Sequence, residues 1–285
     1  MTESGKMGLY TAIGAVGGLA AFALVGLISL MKESFGSYLF FNIVMGASFG
    51  LAIGAVLGSA EGIVHGNKQK IIKGLLYGTL TGIAGGIVGV FLGQSLLMKF
   101  ARTLGEVPLF MGALIQALCW MIMGMFVALG EGLRSRSGFK LTYGLLGGLT
   151  GGLLGGFILE LLTSRFIGLI VLGASITFFY ALMEKNFSRG VLRVLNGSMK
   201  GKKLALNQRK LTVGYGPGND LALSGYDGVE EKCHAVITVK GDGVTVEPFS
   251  HRYDVFVNDE KTQKIRLKYE DVIRIGEARF LYEVK

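Results

Sequence analysis

Residues 74–98, GLLYGTLTGIAGGIVGVFLGQSLLM, decide how this chain is read. The stretch runs for 25 residues without an Asp, Glu, Lys or Arg. About 20 apolar residues carry a helix across the hydrocarbon core of a bilayer. Its seven glycines would weaken a helix in water, but in lipid the backbone has no other hydrogen-bond partner and stays helical. Five further uncharged runs flank it: Met7–Met31, Phe35–Ala60, Leu109–Gly130, Leu141–Leu159 and Phe166–Met183. Six membrane spans are therefore expected in residues 1–184. The first run is too long for a signal-peptide h-region and lacks a basic leader, so it reads as a retained span.

The pattern repeats. Tyr77-Gly78-x-x-x-Gly82-x-x-Gly85-Gly86-x-x-Gly89 recurs 66 residues later as Tyr143-Gly144-x-x-x-Gly148-x-x-Gly151-Gly152-x-x-Gly155, and Gln94 falls on Glu160. The first span holds a weaker copy, Gly14-x-x-Gly17-Gly18, and the second, fourth and sixth end at Glu61, Glu131 and Glu184. Three related helical hairpins are expected, unlike the inverted repeats of many transporters. Glycine also recurs every fourth residue, as in Gly46, Gly50, Gly54 and Gly58. Such zippers let helix backbones approach closely, within one chain or between copies in a homo-oligomer. The bland reading is tight packing; the functional one is a conduction path. Polar groups inside the spans are few: Asn42, Gln94 and Gln116, with Glu160 at an outer end. A carrier coupled to ions or protons needs buried charges near mid-membrane, so active transport is not expected.

Composition agrees. The 285 residues are 51% hydrophobic and 17% charged, with 46 glycines, against about 25% charge in an average soluble domain. Of 49 charges, 32 lie from Glu184 onward, whereas 35 of the glycines lie before it. The formal charge of +9 follows membrane topology rather than nucleic acid. With the N-terminus inside, 13 basic residues of the spans' flanks face the cytoplasm, among them Lys6, Lys68, Lys70, Lys73, Arg134, Arg136, Lys140, Lys185 and Arg189. Only Lys32, Lys99, Arg102 and Arg165 fall outside. Both termini and the polar tail are expected in the cytoplasm, with the protein in the cell membrane. Cys119 and Cys233 form no framework, no metal-ligand spacing occurs, and no acid–base or nucleophilic constellation emerges. No cofactor, no metal and no enzymatic activity are expected.

After residue 184 the text turns to short β-rich runs: Val191–Leu195, Leu204–Leu206, Leu211–Val213, Ala235–Val239, Val244–Val246, Val255–Val257, Val272–Ile275 and Phe280–Val284. Turn signals such as Asn196-Gly197, Pro217-Gly218 and Gly241-Asp242-Gly243 separate them, which indicates an all-β sandwich over 185–285. Thr212-Val213-Gly214-Tyr215-Gly216 spells a potassium-channel filter, but a filter needs a pore between apolar helices, and this one stands in polar sequence.

Leu195-x-Gly197-x-x-x-Gly201, Val213-Gly214 with Asn219-Asp220-Leu221-x-Leu223, His234-Ala235-x-Ile237, Val257-Asn258, and Leu267-x-x-Glu270-Asp271-x-Ile273-x-Ile275-Gly276-x-x-x-Phe280 come in the order of a forkhead-associated (FHA) domain. The tail resembles that family over roughly 190–285. The resemblance implies an eleven-stranded β-sandwich whose loops at one end bind phosphothreonine peptides, with Gly214, His234, Asn258, Asp271 and Gly276 as framework and Tyr215, Asn219, Glu231, Lys232, Arg252, Tyr253 and Asp254 in the partner-binding loops. The phosphate-reading positions depart from the family. Its arginine is Tyr215, its serine is Glu231, and its Asn-Gly-Thr falls on Tyr253-Asp254-Val255. Lys232 and Arg252 are the remaining cations of those loops. The expectation is a membrane-anchored signalling adapter that binds a cytoplasmic protein or phosphoprotein without strict dependence on phosphothreonine. The alternative is a channel or passive transporter regulated by the tail.

Overall fold

The computed structural model describes residues 3–283 apart from 106, 136, 189, 207, 241 and 242. The basic residues Arg136 and Arg189 and the Gly241-Asp242 half of one expected turn lie outside the described residues. Two compact units are present, one built from Lys6–Arg136 and Lys140–Glu184, the other chiefly from Lys185–Lys285.

The first unit contains six helices: α1 (Glu3–Leu30), α2 (Tyr38–His65), α3 (Lys68–Leu104), α4 (Leu109–Ser135), α5 (Gly138–Leu161) and α6 (Arg165–Phe187). Each is long and apolar enough to cross a membrane. Helix α3, at 37 residues, outruns its uncharged stretch in both directions and takes Lys68, Lys70 and Lys73 into its first turns and Lys99 and Arg102 into its last. Its start is set by Asn67, whose side chain accepts the Lys70 N–H at 3.1 Å.

The glycine rows explain the packing. On α2, Gly46, Gly50, Gly54 and Gly58 lie against the backbone of Gly86, Gly82, Gly78 and Gly74 on α3, so close that a Cβ on either side would overlap a carbonyl oxygen. The second α3 row, Gly85 and Gly89, turns to Phe126, Met123 and Cys119 of α4. The repeat copies this arrangement. Gly144, Gly148 and Gly152 of α5 meet the preceding helix at Ala128, Gly124 and Trp120, while Gly151 and Gly155 meet the following helix at Ile176 and Leu172. Even the weak copy on α1 obeys the rule in cyclic order: Gly17 faces α2, whereas Gly14 and Gly18 face α6 at Gly173 and Leu169. Between these contacts Tyr10, Ile53, Met123, Tyr143, Leu172, Ile176 and Tyr180 fill a core. Tyr180 stacks on Tyr10 at 5.9 Å and meets Tyr143 edge-on at 5.5 Å.

The second unit is a pair of open sheets. One has six strands in the order β2 (Lys203–Ala205), β1 (Val191–Val194), β11 (Ala278–Glu283), β10 (Val272–Ile275), β7 (Val255–Val257), β8 (Glu260–Thr262). The other has five, in the order β4 (Leu221–Ala222), β3 (Lys210–Gly214), β5 (Ala235–Lys240), β6 (Gly243–Pro248), β9 (Ile265–Arg266). Alternating side chains on each sheet, such as Ala235, Ile237 and Val239 on β5 and Ile273 and Ile275 on β10, form one buried core. Thr212-Val213-Gly214 lies in β3, with Val213 fully buried and paired to Leu221 of β4, so this stretch is sandwich core rather than a filter. Strands β4, β8 and β9 are absent from the expected set because each has only two or three residues and little apolar alternation.

Candidate functional site

The loop cluster is organised by residues that point inward. In the loop between β3 and β4, Asn219 is 3% exposed, and its Nδ2 donates to the carbonyls of Gly216 at 3.0 Å and Glu231 at 3.1 Å. The sequence reading places it in the partner-binding loops, and there its amide joins two of them. Gly214 has to be glycine, since a Cβ there would stand 2.5 Å from Asn219 Nδ2. The backbone N–H groups of Tyr215 and Gly216 donate to the carbonyls of Glu230 and Glu231 at 2.8 and 2.9 Å, which extends the join.

His234 ties in the third loop. It is 5% exposed; its Nδ1 accepts the Glu230 N–H at 3.2 Å, so the pattern assigns the ring proton to Nε2, which faces the Asp254 carbonyl at 3.1 Å. Tyr253 packs over its ring with centroids 5.2 Å apart. The histidine is thus a positioning residue between the β4–β5 and β6–β7 loops.

Asn258 and Asp271 support the neighbouring hairpin. Asn258 and Asp259 both adopt positive φ, 53° and 63°, as a two-residue hairpin between β7 and β8 requires. The Asn258 amide donates to Asp271 Oδ1 at 2.8 Å and accepts the Val272 N–H at 2.9 Å, while Asp271 Oδ2 accepts the Lys268 N–H at 2.6 Å. Gly276, at φ 56°, lies where a Cβ would be 2.5 Å from the Asp227 carbonyl.

On this frame Tyr215, Glu231, Lys232, Arg252 and Asp254 are exposed and Tyr253 is half-buried. Asp254 pairs with Lys261 at 2.6 Å. Lys232 and Arg252 enter no ion pair among the described residues. Sequence reading missed Phe249, which is 61% exposed and next to this cluster through its N–H bond to the His234 carbonyl. It also missed Tyr226, whose hydroxyl donates to the Asn196 carbonyl at 2.6 Å and whose ring fills the space beside Gly197.

A second missed cluster is in the helical unit. Lys140, expected in a solvated flank, is fully buried, with Nζ 2.5 Å from Glu61 and 3.2 Å from Glu131. Arg134 joins both carboxylates, lying 3.2 Å from Glu61 and in direct contact with Glu131. The network ties α2, α4 and α5. Lys6 and Glu184, 2.9 Å apart, tie α1 to α6 in the same manner. The three carboxylates at helix ends, Glu61, Glu131 and Glu184, were visible in the sequence; which cations answer them was not. Buried charges this well paired read as a clamp.

Residues 193–285 match a family model described as the inner membrane component of T3SS, cytoplasmic domain. Similar solved structures include an FHA domain studied for phosphothreonine-dependent interactions, 23% identical, covering 34% of this chain and 98% of that one, with a TM-score of 0.31. The FHA domain of the CT664 protein from Chlamydia trachomatis is 26% identical over 34% of this chain and 99% of that one, with a TM-score of 0.31. The cytoplasmic domain of the T3SS sorting platform protein PscD from P. aeruginosa is 18% identical over 34% of this chain and 80% of that one, also at 0.31. No match was found among curated proteins. The chain thus carries six helices of membrane-spanning length followed by a two-sheet domain that is similar to FHA domains and matches the cytoplasmic-domain model of a membrane component.

Proposed function

We propose that the protein is a membrane-anchored scaffold whose FHA-like domain, held on the cytoplasmic side, docks a protein partner without strict dependence on phosphothreonine. The observation that carries this reading is the split between frame and surface. The inward residues Asn219, His234, Asn258 and Asp271 make the hydrogen bonds that order the loops, whereas the surface offers Tyr215, Phe249 and Glu231. Exposed aromatics are good anchors for a protein surface, and a carboxylate repels phosphate. The basic bias of the flanks and the description of the matching family model support the cytoplasmic placement. On this reading the chain catalyses no reaction and binds no nucleic acid; its partners are the bilayer and a cytoplasmic protein.

The test presents the full chain in nanodiscs to matched peptide libraries, phosphorylated or not on threonine. The expected result is comparable binding to both sets, reduced about tenfold by Tyr215→Ala or Phe249→Ala. A clear preference for phosphothreonine, lost in the Lys232→Ala, Arg252→Ala double variant, would overturn phosphate independence. Reproducible solute flux through the protein in liposomes would instead favour a transporter.

A further inference from the structure

Asn42, Gln94, Gln116 and Glu160 come from four different helices, yet these four polar interruptions of the apolar spans all line one cavity of about 410 Å³. Ser29, near the end of α1, and Arg165, at the start of α6, also border it. The cavity therefore lies toward one end of the unit and the Lys140 clamp toward the other, since Lys140 begins α5 and Glu160 nearly ends it. Its volume is within the range of small-molecule sites.

The polar groups are not used up by the protein. The side-chain amides of Asn42, Gln94 and Gln116 make no hydrogen bond among the described residues. Glu160 accepts the Trp120 indole N–H on Oε1 at 3.0 Å, which orients the carboxylate, and it forms no ion pair among the described residues. Phe22, Phe49 and Trp120 contribute aromatic walls, with Phe49 edge-on to Trp120 at 5.1 Å. The Glu160 end of the cavity, a carboxylate among aromatic rings and amide carbonyls, attracts a cation that can also donate hydrogen bonds and disfavours an anion at that end. Such groups are costly within a membrane unless a partner meets them.

We infer that this cavity binds a primary ammonium group carried by a small amphiphile. The ammonium sits on Glu160, its other N–H groups face the amide carbonyls, and the apolar body lies along the aromatic walls. Arg165, exposed at the rim, leaves room for an acidic group further along the ligand. An alkylamine from solution and an aminophospholipid headgroup share this chemistry. The inference is independent of the scaffold reading.

Trp120 is the sole tryptophan and therefore a built-in reporter. The full chain in phosphatidylglycerol nanodiscs is titrated with n-hexylammonium, with hexanol and hexanoate as controls, while Trp120 emission is followed; native mass spectrometry gives a second readout. The expected result is a saturable change with the amine alone, weakened about tenfold or more by Glu160→Gln and also weakened by Gln116→Leu, which leaves the Trp120 bond intact. Nanodiscs containing phosphatidylethanolamine distinguish the sources: if they block the amine, the headgroup occupies the site, and if they do not, a soluble amine does. No saturable change, an equal response to hexanol, or full affinity in both variants would overturn the proposal.

Discussion

Glycine does opposite work in the two units. In the helical unit it is there for the side chain it lacks: Gly50 and Gly82 are regular helix residues whose missing Cβ atoms let two backbones touch. In the β unit, Gly214 apart, it serves a dihedral at turns, as at Gly197 and Gly276, with φ of 67° and 56°. Polar groups differ likewise. The helical unit buries charge against charge, as in Lys140 between Glu61 and Glu131, whereas the β unit ties loops with neutral amides and a histidine to backbone carbonyls. The difference follows from the solvent: lipid-facing helices satisfy their own backbones and associate through close packing, while a small sandwich must order loops whose backbones would otherwise bond to water.

The sharpest way to break this contrast is to add a side chain where helices touch. Gly82→Leu forces α2 and α3 apart and is expected to abolish a monodisperse bundle in detergent, whereas Gly8→Leu, with open space around it, leaves the bundle intact. Size-exclusion profiles of the two variants decide.

Next comes the buried clamp. Lys140→Met removes the buried ammonium from between Glu61 and Glu131, and a loss of about 3–5 kcal/mol is expected. Thermal unfolding in detergent should show it, and adding Glu61→Gln should recover part of the loss. An unchanged midpoint would mean that the network is spectator charge.

Smaller effects belong to the β unit. Glu270, a residue with a side chain, adopts a left-handed φ of 66°. Glu270→Gly relieves left-handed strain of about 1–2 kcal/mol, partly offset by the greater freedom of glycine when unfolded, so a net gain of up to about 1 kcal/mol is expected. Slower amide exchange in β10 and β11 of the full-length protein would register it.

The smallest is a pH effect. A hydrogen bond from Lys203 at 2.8 Å, with Arg193 3.6 Å away, holds the Glu283 carboxyl below its ordinary range. A depressed folded-state value means that the stabilisation is present above the ordinary carboxylate range, about pH 4, and is lost as pH falls through the folded value. Glu283→Gln should remove that acid sensitivity with a change below about 1 kcal/mol at neutral pH, read from exchange near β1 and β11 at pH 7 and pH 3.

Much of the fold was legible because its signals are local. Uncharged runs of membrane length, the 66-residue repeat and the period-two strands each depend on neighbours in sequence. The order of the FHA-like motifs was legible too, since His234, Asn258 and Asp271 follow one another beside short apolar strands. Strands β8 and β9 were not, because Glu260–Thr262 and Ile265–Arg266 are edge segments held by pairing rather than by burial of a pattern.

The sequence alone determined that two solvents were needed, where glycine would sit on each helix, and which side chains were polar in an apolar run. Only the tertiary structure decided what those side chains meet. It drew Asn42, Gln94, Gln116 and Glu160 into one cavity and closed Lys140 onto two carboxylates from other helices. The physical reason is that helix formation depends on residues a turn apart, whereas the partner of a buried charge or amide is chosen by packing across the bundle.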